Sequence, residues 1–177
     1  GDIMYSTKGK IDHLDEYNEL IHKKIHEGYY YSINTIGNLS AGASRILVFK
    51  TPVDKYIHLT LPNIEVDAGR LLIEIFANPV IQNQGTPIRI SNHNANSSVV
   101  SGITYIQLGN TLSSNGVTLF NSYVFGGNKI PGTNIPIREE FILTPDTMFA
   151  LKLTNEYNVS QYYSHYQSWY ETLENYR

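Results

Sequence analysis

The chain of 177 residues contains no cysteine. That absence removes a disulfide framework, a thiol nucleophile, an iron–sulfur cluster and every cysteine-bearing zinc site. Charge is scarce as well: 13 Lys and Arg stand against 16 Asp and Glu, a net charge of −3. No basic run occurs, which argues against nucleic acid as the main partner, because phosphate binding is driven by clustered Lys and Arg. Apolar runs such as Leu71 to Ile73 are far shorter than the roughly 20 residues of a membrane helix, so no membrane partner is expected. A Gly-x-Ser-x-Gly elbow is missing, and Gly126-Gly127 lacks the continuation of a phosphate loop and reads as a turn. What remains is a soluble globular chain, long enough for one well-buried core.

Tyrosine is the surplus: 14 residues, with 6 Phe and 1 Trp. Charge is also uneven, since residues 1–28 hold 10 of the charged side chains and the remaining 149 residues hold 19. This places a boundary at Gly28. Residues 1–11 show no period and read as an extended arm. From Asp12, a candidate N-cap, acidic residues open the segment and Lys23, Lys24 and His26 close it, as a helix dipole prefers. Leu14, Tyr17, Ile21 and Ile25 give one narrow apolar stripe on that helix, too narrow to anchor a thick core and suited to a partner surface or to copies of itself.

After Gly28 the period becomes two. Strands are expected over Tyr29 to Ile36, Arg45 to Thr51, Lys55 to Leu61, Gly69 to Asn78, Thr86 to Ser91, Ile103 to Leu108, Val117 to Phe125, Glu139 to Leu143 and Met148 to Thr154. Turn residues separate them, including Asn83-Gln84-Gly85, Asn115-Gly116 and Pro145-Asp146. Residues Val159 to Tyr176 fit a helical stripe and a strand alternation alike, and aromatic density with interleaved Ser favours the strand. The expected fold is all-β: an antiparallel β-sandwich of jelly-roll type over residues 29–177, preceded by the arm and one α-helix.

Candidate chemistry is thin. His22 and His26 have the spacing of two imidazoles on one metal, but Lys23 stands where a zinc hydrolase helix has its general-base Glu, with Lys24 beside it, so exposed histidines are the expected reading. His58, His93 and His165 lie on separate strands or loops with no acidic companion at a regular spacing. Glu65 and Asp67 read as a loop pair that calcium oxygens could use, and Glu139-Glu140 as charges guarding a sheet edge. No catalytic, metal or cofactor-binding residue is assigned, and the protein is not expected to be an enzyme. Tyr29-Tyr30-Tyr31 and Tyr162-Tyr163 put tyrosine on both faces of their strands, so one face is expected to meet a core and the other a subunit or ligand.

One ordering of residues carries a resemblance. A helical lead ending in His26-Glu27-Gly28-Tyr29 is followed by Thr51-Pro52, His58, Gly85-Thr86, an Asn92-x-Asn94 loop with Ser97, and a closing Trp169-Tyr170-Glu171. Over residues 20–171 this resembles a family of tailed-bacteriophage head decoration, or auxiliary capsid, proteins. The family pattern commonly has Arg after the second Asn, where this chain has Ala95. The resemblance implies a jelly-roll homotrimer on the outer surface of the virion head, made in the cytoplasm of the host bacterium. Its partners would be itself, the major capsid protein and, where it mediates adhesion rather than capsid stabilisation, host-surface glycans. Residues 1–28 are then expected to anchor to the capsid or form the trimer contact, through Tyr5, Lys8, Lys10, Leu14, Tyr17, Ile21 and Ile25. The alternative is a carbohydrate-binding β-sandwich module of a tail fibre, baseplate or secreted protein, with tyrosines as its stacking surface.

Overall fold

A computed structural model describes residues 16–60, 62–127 and 140–174. Helix α1 (16–27) stops because Gly28 takes φ of 82°, the left-handed conformation that closes helices. The Tyr29 N–H donates to Lys24 O at 2.9 Å and the Gly28 N–H to Ile25 O at 3.0 Å, the paired bonds of a Schellman motif.

The remaining elements are strands, numbered in chain order: β1 (Tyr30–Leu39), β2 (Ser44–Lys50), β3 (Tyr56–Thr60), β4 (Asn63–Val66), β5 (Arg70–Ala77), β6 (Val80–Asn83) and β7 (Thr86–Pro87). They continue with β8 (Ser91–Asn92), β9 (Tyr105–Leu108), β10 (Thr111–Ser114), β11 (Val117–Phe125), β12 (Glu140–Leu143), β13 (Met148–Asn155) and β14 (Gln161–Thr172). One sheet has the order β12-β3-β14-β1-β8, with β4 also on β14; the second has β11-β5-β13-β2-β9-β7. Every pairing is antiparallel. The long partners nest, β1 with β14, β2 with β13, β3 with β12 and β5 with β11, which is the winding of a jelly roll.

Alternation decides which face is buried. Tyr31 and Ile33 of β1, Ile57 and Leu59 of β3 and Trp169 of β14 point inward from the first sheet, meeting Leu47, Phe49, Leu71, Ile73, Ile75, Leu151 and Leu153 from the second. The outer face of the second sheet carries a smaller apolar cluster, Ile46, Val48, Phe76 and Ala150, covered in part by Ile81 and Leu112 of the β6–β10 ribbon. On the side where β11 and β12 form the edges, Phe120 meets Phe141 edge-on at 5.7 Å between ring centroids.

Three features differ from the pattern expected. The segment 86–92 is two short strands on different sheets: Thr86 pairs with Leu108 and Ser91 with Ser32, so the chain crosses from one sheet to the other. Pro87 lacks the N–H that would extend a ladder there. Residues 63–66 form a strand, not a loop, and put Glu65 opposite Ser164. The ribbon of β6 and β10 was not anticipated; both strands are short and mostly exposed. The expected strand over the C-terminal tyrosines is present as β14, at the centre of its sheet.

Candidate functional site

Between β5 and β11 the chain inserts residues 78–116, and part of this insertion clasps the junction of α1 and β1. Asn92 Nδ2 donates to Gly28 O and to Val99 O, each at 2.9 Å, while its Oδ1 accepts the Asn94 N–H at 2.8 Å. Asn94 Nδ2 donates to His26 O at 3.0 Å, and its Oδ1 accepts the Asn96 N–H at 3.1 Å. Ser97 Oγ then accepts the Val99 N–H at 3.1 Å. Such short side chains suit the task because they reach back to the backbone two residues on. A Cβ at Gly28 would stand 2.2 Å from Ser97 Oγ, so the junction admits only glycine.

The closing Trp169-Tyr170-Glu171 alternates across the sheet. Trp169 faces the core beside a cavity of about 20 Å³ that it shares with His165 and Gln167. Its indole Nε1 is buried without a hydrogen-bond partner, and a cavity of this size holds about one water. Burial pushes the His165 imidazole down to about 4, so it is neutral in the core. Glu171 is also buried, yet charge-compensated by donors: Ser101 Oγ at 2.6 Å and the Gly102 N–H at 3.0 Å to each carboxylate oxygen. Pro52 packs on Gly102, where a Cβ would fall 2.8 Å from the proline ring. Thr51 fixes the adjacent turn, donating to Thr144 O at 2.6 Å and accepting the Thr147 N–H at 2.9 Å.

Tyr170 points the other way, onto the outer face of the first sheet. There His58 stacks on it, with ring centroids 4.4 Å apart and planes 8° from parallel. His58 Nε2 lies 2.8 Å from Thr172 Oγ1 and its Nδ1 3.4 Å from Glu140 Oε1. A hydroxyl, an imidazole and a carboxylate in this order resemble a nucleophile with its base and orienting acid. The proton roles oppose that reading. Thr172 Oγ1 donates to Glu174 O, so Nε2 of His58 must donate to the hydroxyl and cannot take its proton. His58 is only 2% exposed, which closes the ring to substrate. Its contact with Glu140 is attractive only with a proton on Nδ1 or on the carboxyl.

Next to this centre lies a second polar cluster on the same face. Tyr30 Oη donates to Ser168 Oγ at 2.8 Å, Thr60 Oγ1 donates to Ser168 O at 3.0 Å, and His93 Nε2 lies 2.9 Å from Ser32 Oγ. Burial raises the Tyr30 hydroxyl, with the Ser168 bond opposing, and burial lowers His93. Further along β14 the face opens to solvent: Tyr162 is 61% exposed beside Asn38, with Ile36, Asn34 and Glu65 also exposed nearby.

The residues singled out from sequence therefore separate into groups. Tyr5, Lys8, Lys10 and Leu14 lie outside the described residues, whereas Tyr17, Ile21 and Ile25 are half-buried on α1. Pro52 and Glu171 meet at Gly102 while Thr51 holds the turn at Thr144 and Thr147, His58 stacks on Tyr170, and Asn92, Asn94 and Ser97 make the clasp. Asp67 spends its Oδ1 on the Tyr162 N–H at 3.0 Å, and among the described residues no group of three or more His, Cys, Asp or Glu is arranged for a metal. Glu140 opens the edge strand β12, with its carboxylate turned toward His58, and Glu139 lies outside the described residues. Sequence spacing could not have found the Glu140–His58–Thr172 row, whose members come from three strands. The chain matches no protein-family model, no curated protein and no solved structure.

Proposed function

We propose that the chain is a non-enzymatic structural protein of a tailed-bacteriophage virion, a homotrimer decorating the outside of the head and contacting the major capsid protein through residues 1–28. The observation that carries a structural over a catalytic role is the buried His58 imidazole, which donates from Nε2 to Thr172 Oγ1 while that hydroxyl gives its own proton to Glu174 O, so the ring cannot serve the hydroxyl as a base. Self-association is supported by β11, an edge strand on which Val117, Leu119, Tyr123 and Phe125 are all exposed. Long apolar edge strands are a hazard that proteins ordinarily blunt with charge, and this one carries none. The ordered residues of the clasp tie α1 to the sandwich, so a segment N-terminal to it can grip a shell without loosening the fold.

The test is co-sedimentation with phage heads together with light scattering. A mass near three times 20.1 kDa and copurification with heads are expected. A chain truncated before Ile21, which keeps the clasp, should remain folded and lose the heads. A monomer at micromolar concentration, or undiminished head binding by the truncated chain, would overturn the reading.

A second reading has its own observation. Tyr162 with Asn34, Asn38 and Glu65 forms a flat, solvent-facing shelf of an aromatic ring among amide and carboxylate groups. That is the chemistry of sugar recognition, stacking plus planar hydrogen bonds, and it supports a carbohydrate-binding module. Glycan binding that disappears in Tyr162→Ala would favour it; an array without hits would not.

A further inference from the structure

His22 and His26 stand one turn apart on α1, with ring centroids 4.4 Å apart and planes inclined by 69°. Both side chains are exposed, so neither is committed to packing. Residues four apart lie one above the other on a helix, and two imidazoles so placed can close on one ion. The neighbouring ammonium groups, which read from spacing as opponents of a dication, are engaged elsewhere. Lys23 Nζ lies 3.7 Å from Glu27 Oε1, and Lys24 Nζ lies 5.7 Å from the centre of the Tyr170 ring.

Two further features favour a cation at this place. The pair occupies the last two turns of α1, the end at which the aligned peptide dipoles of a helix place partial negative charge. The backbone beneath is also held, by Asn94 Nδ2 on His26 O at 3.0 Å and Asn92 Nδ2 on Gly28 O at 2.9 Å, so closing the chelate orders little more than two side chains.

We propose that His22 and His26 form a site for a borderline divalent transition-metal ion, of the class of Zn²⁺, Ni²⁺ or Cu²⁺, bound through one ring nitrogen of each neutral imidazole. Water completes the coordination, because no third protein ligand stands by among the described residues. The site is open on its solvent side and staples the C-terminal turns of α1. It stands independently of the virion role: it requires only the helix and the clasp.

The test is calorimetric titration of the untagged full-length chain with ZnCl₂ alone, beside His22→Gln and His26→Gln. One saturable equivalent per chain is expected. Loss of either ring removes the chelate and should weaken binding roughly tenfold or more. With Cu²⁺ as the probe, paramagnetic resonance should show two nitrogen donors in the parent chain and one in each variant. Both substitutions are at exposed positions, and unchanged thermal unfolding of the metal-free variants confirms that the fold is kept. The proposal is overturned if Zn²⁺ up to the millimolar range shows no saturable binding, or if both variants bind as tightly as the parent.

Discussion

Both carboxylate oxygens of Glu171 accept the backbone N–H of Gly102, each at 3.0 Å, across 69 residues of sequence. The contact seats the interior of the insertion on the central strand of the first sheet, and it places a negative charge near Tyr31, which is 1% exposed. Burial, then the Glu171 charge, then Tyr29, push the Tyr31 hydroxyl up to about 12.

Glu171→Gln tests this arrangement. The amide keeps the shape but offers one acceptor and two donors, so one of the bonds from Ser101 Oγ and Gly102 N is lost. A cost of about 1 to 3 kcal/mol in denaturant unfolding is expected. The Tyr31 phenol should then titrate at lower pH than in the parent, while staying above the ordinary tyrosine value because burial is the larger cause. Ultraviolet tyrosinate titration reads the shift. In the parent chain, a phenol raised in the folded state contributes stability that is complete below pH 10 and fades as pH rises toward 12.

His165 sets the acid limit. Its folded pKa is depressed to about 4 against the usual 6.5, so the unfolded chain binds the proton first. Stability from this group is present above pH 6.5 and is lost as pH falls toward 4. At a pH half a unit above the folded value the loss is about 2 to 3 kcal/mol. His93, also lowered by burial, acts with the same sign. Urea midpoints compared at neutral and acid pH should show the decline, and His165→Gln should flatten most of it.

The junction after α1 gives a sharper mutational test. Gly28→Ala meets two costs, a left-handed backbone of about 1 to 2 kcal/mol and the overlap with Ser97 Oγ at 2.2 Å. Adding Ser97→Gly removes the second and leaves the first. Thermal unfolding of the single and double variants should therefore show partial rescue; a single variant as stable as the parent would remove the steric argument.

How much of this was legible beforehand depends on element length and on which groups water can report. The alternation of Tyr31, Ile33, Leu71, Ile73 and Ile75 runs long enough to disclose both sheets, and Pro52 and Gly28 mark real ends. Strands β6 and β10 are mostly exposed, so no buried face imprints an alternation on their sequences. Thr86 to Ser91 reads as one strand because its alternation continues while the chain changes sheets. His58 falls on the polar side of its alternation, which gives no sign of its burial or of its contacts with Tyr170, Thr172 and Glu140 from other strands. Asn155 was equally hidden. It is fully buried and donates to Leu39 O and Val159 O at 2.9 Å, a turn hub whose sequence neighbours give no sign of it.

The edge strand β11 offers the last prediction. Its outward side chains Leu119 and Phe125 are 42% and 60% exposed, and none of the strand's own residues is charged, the Arg70 guanidinium of β5 lying over the Tyr123 ring. If this edge is where copies meet, Leu119→Lys with Phe125→Lys should desolvate two ammonium groups on association, a penalty of several kcal/mol that a trimer cannot absorb. Both positions are exposed, so the fold of the single subunit should be little affected. The expected outcome is a monomer of 20.1 kDa by light scattering, with circular dichroism unchanged. A trimer that persists in the double variant assigns the contact to another surface, and the half-buried Tyr17, Ile21 and Ile25 of α1 become the next positions to change.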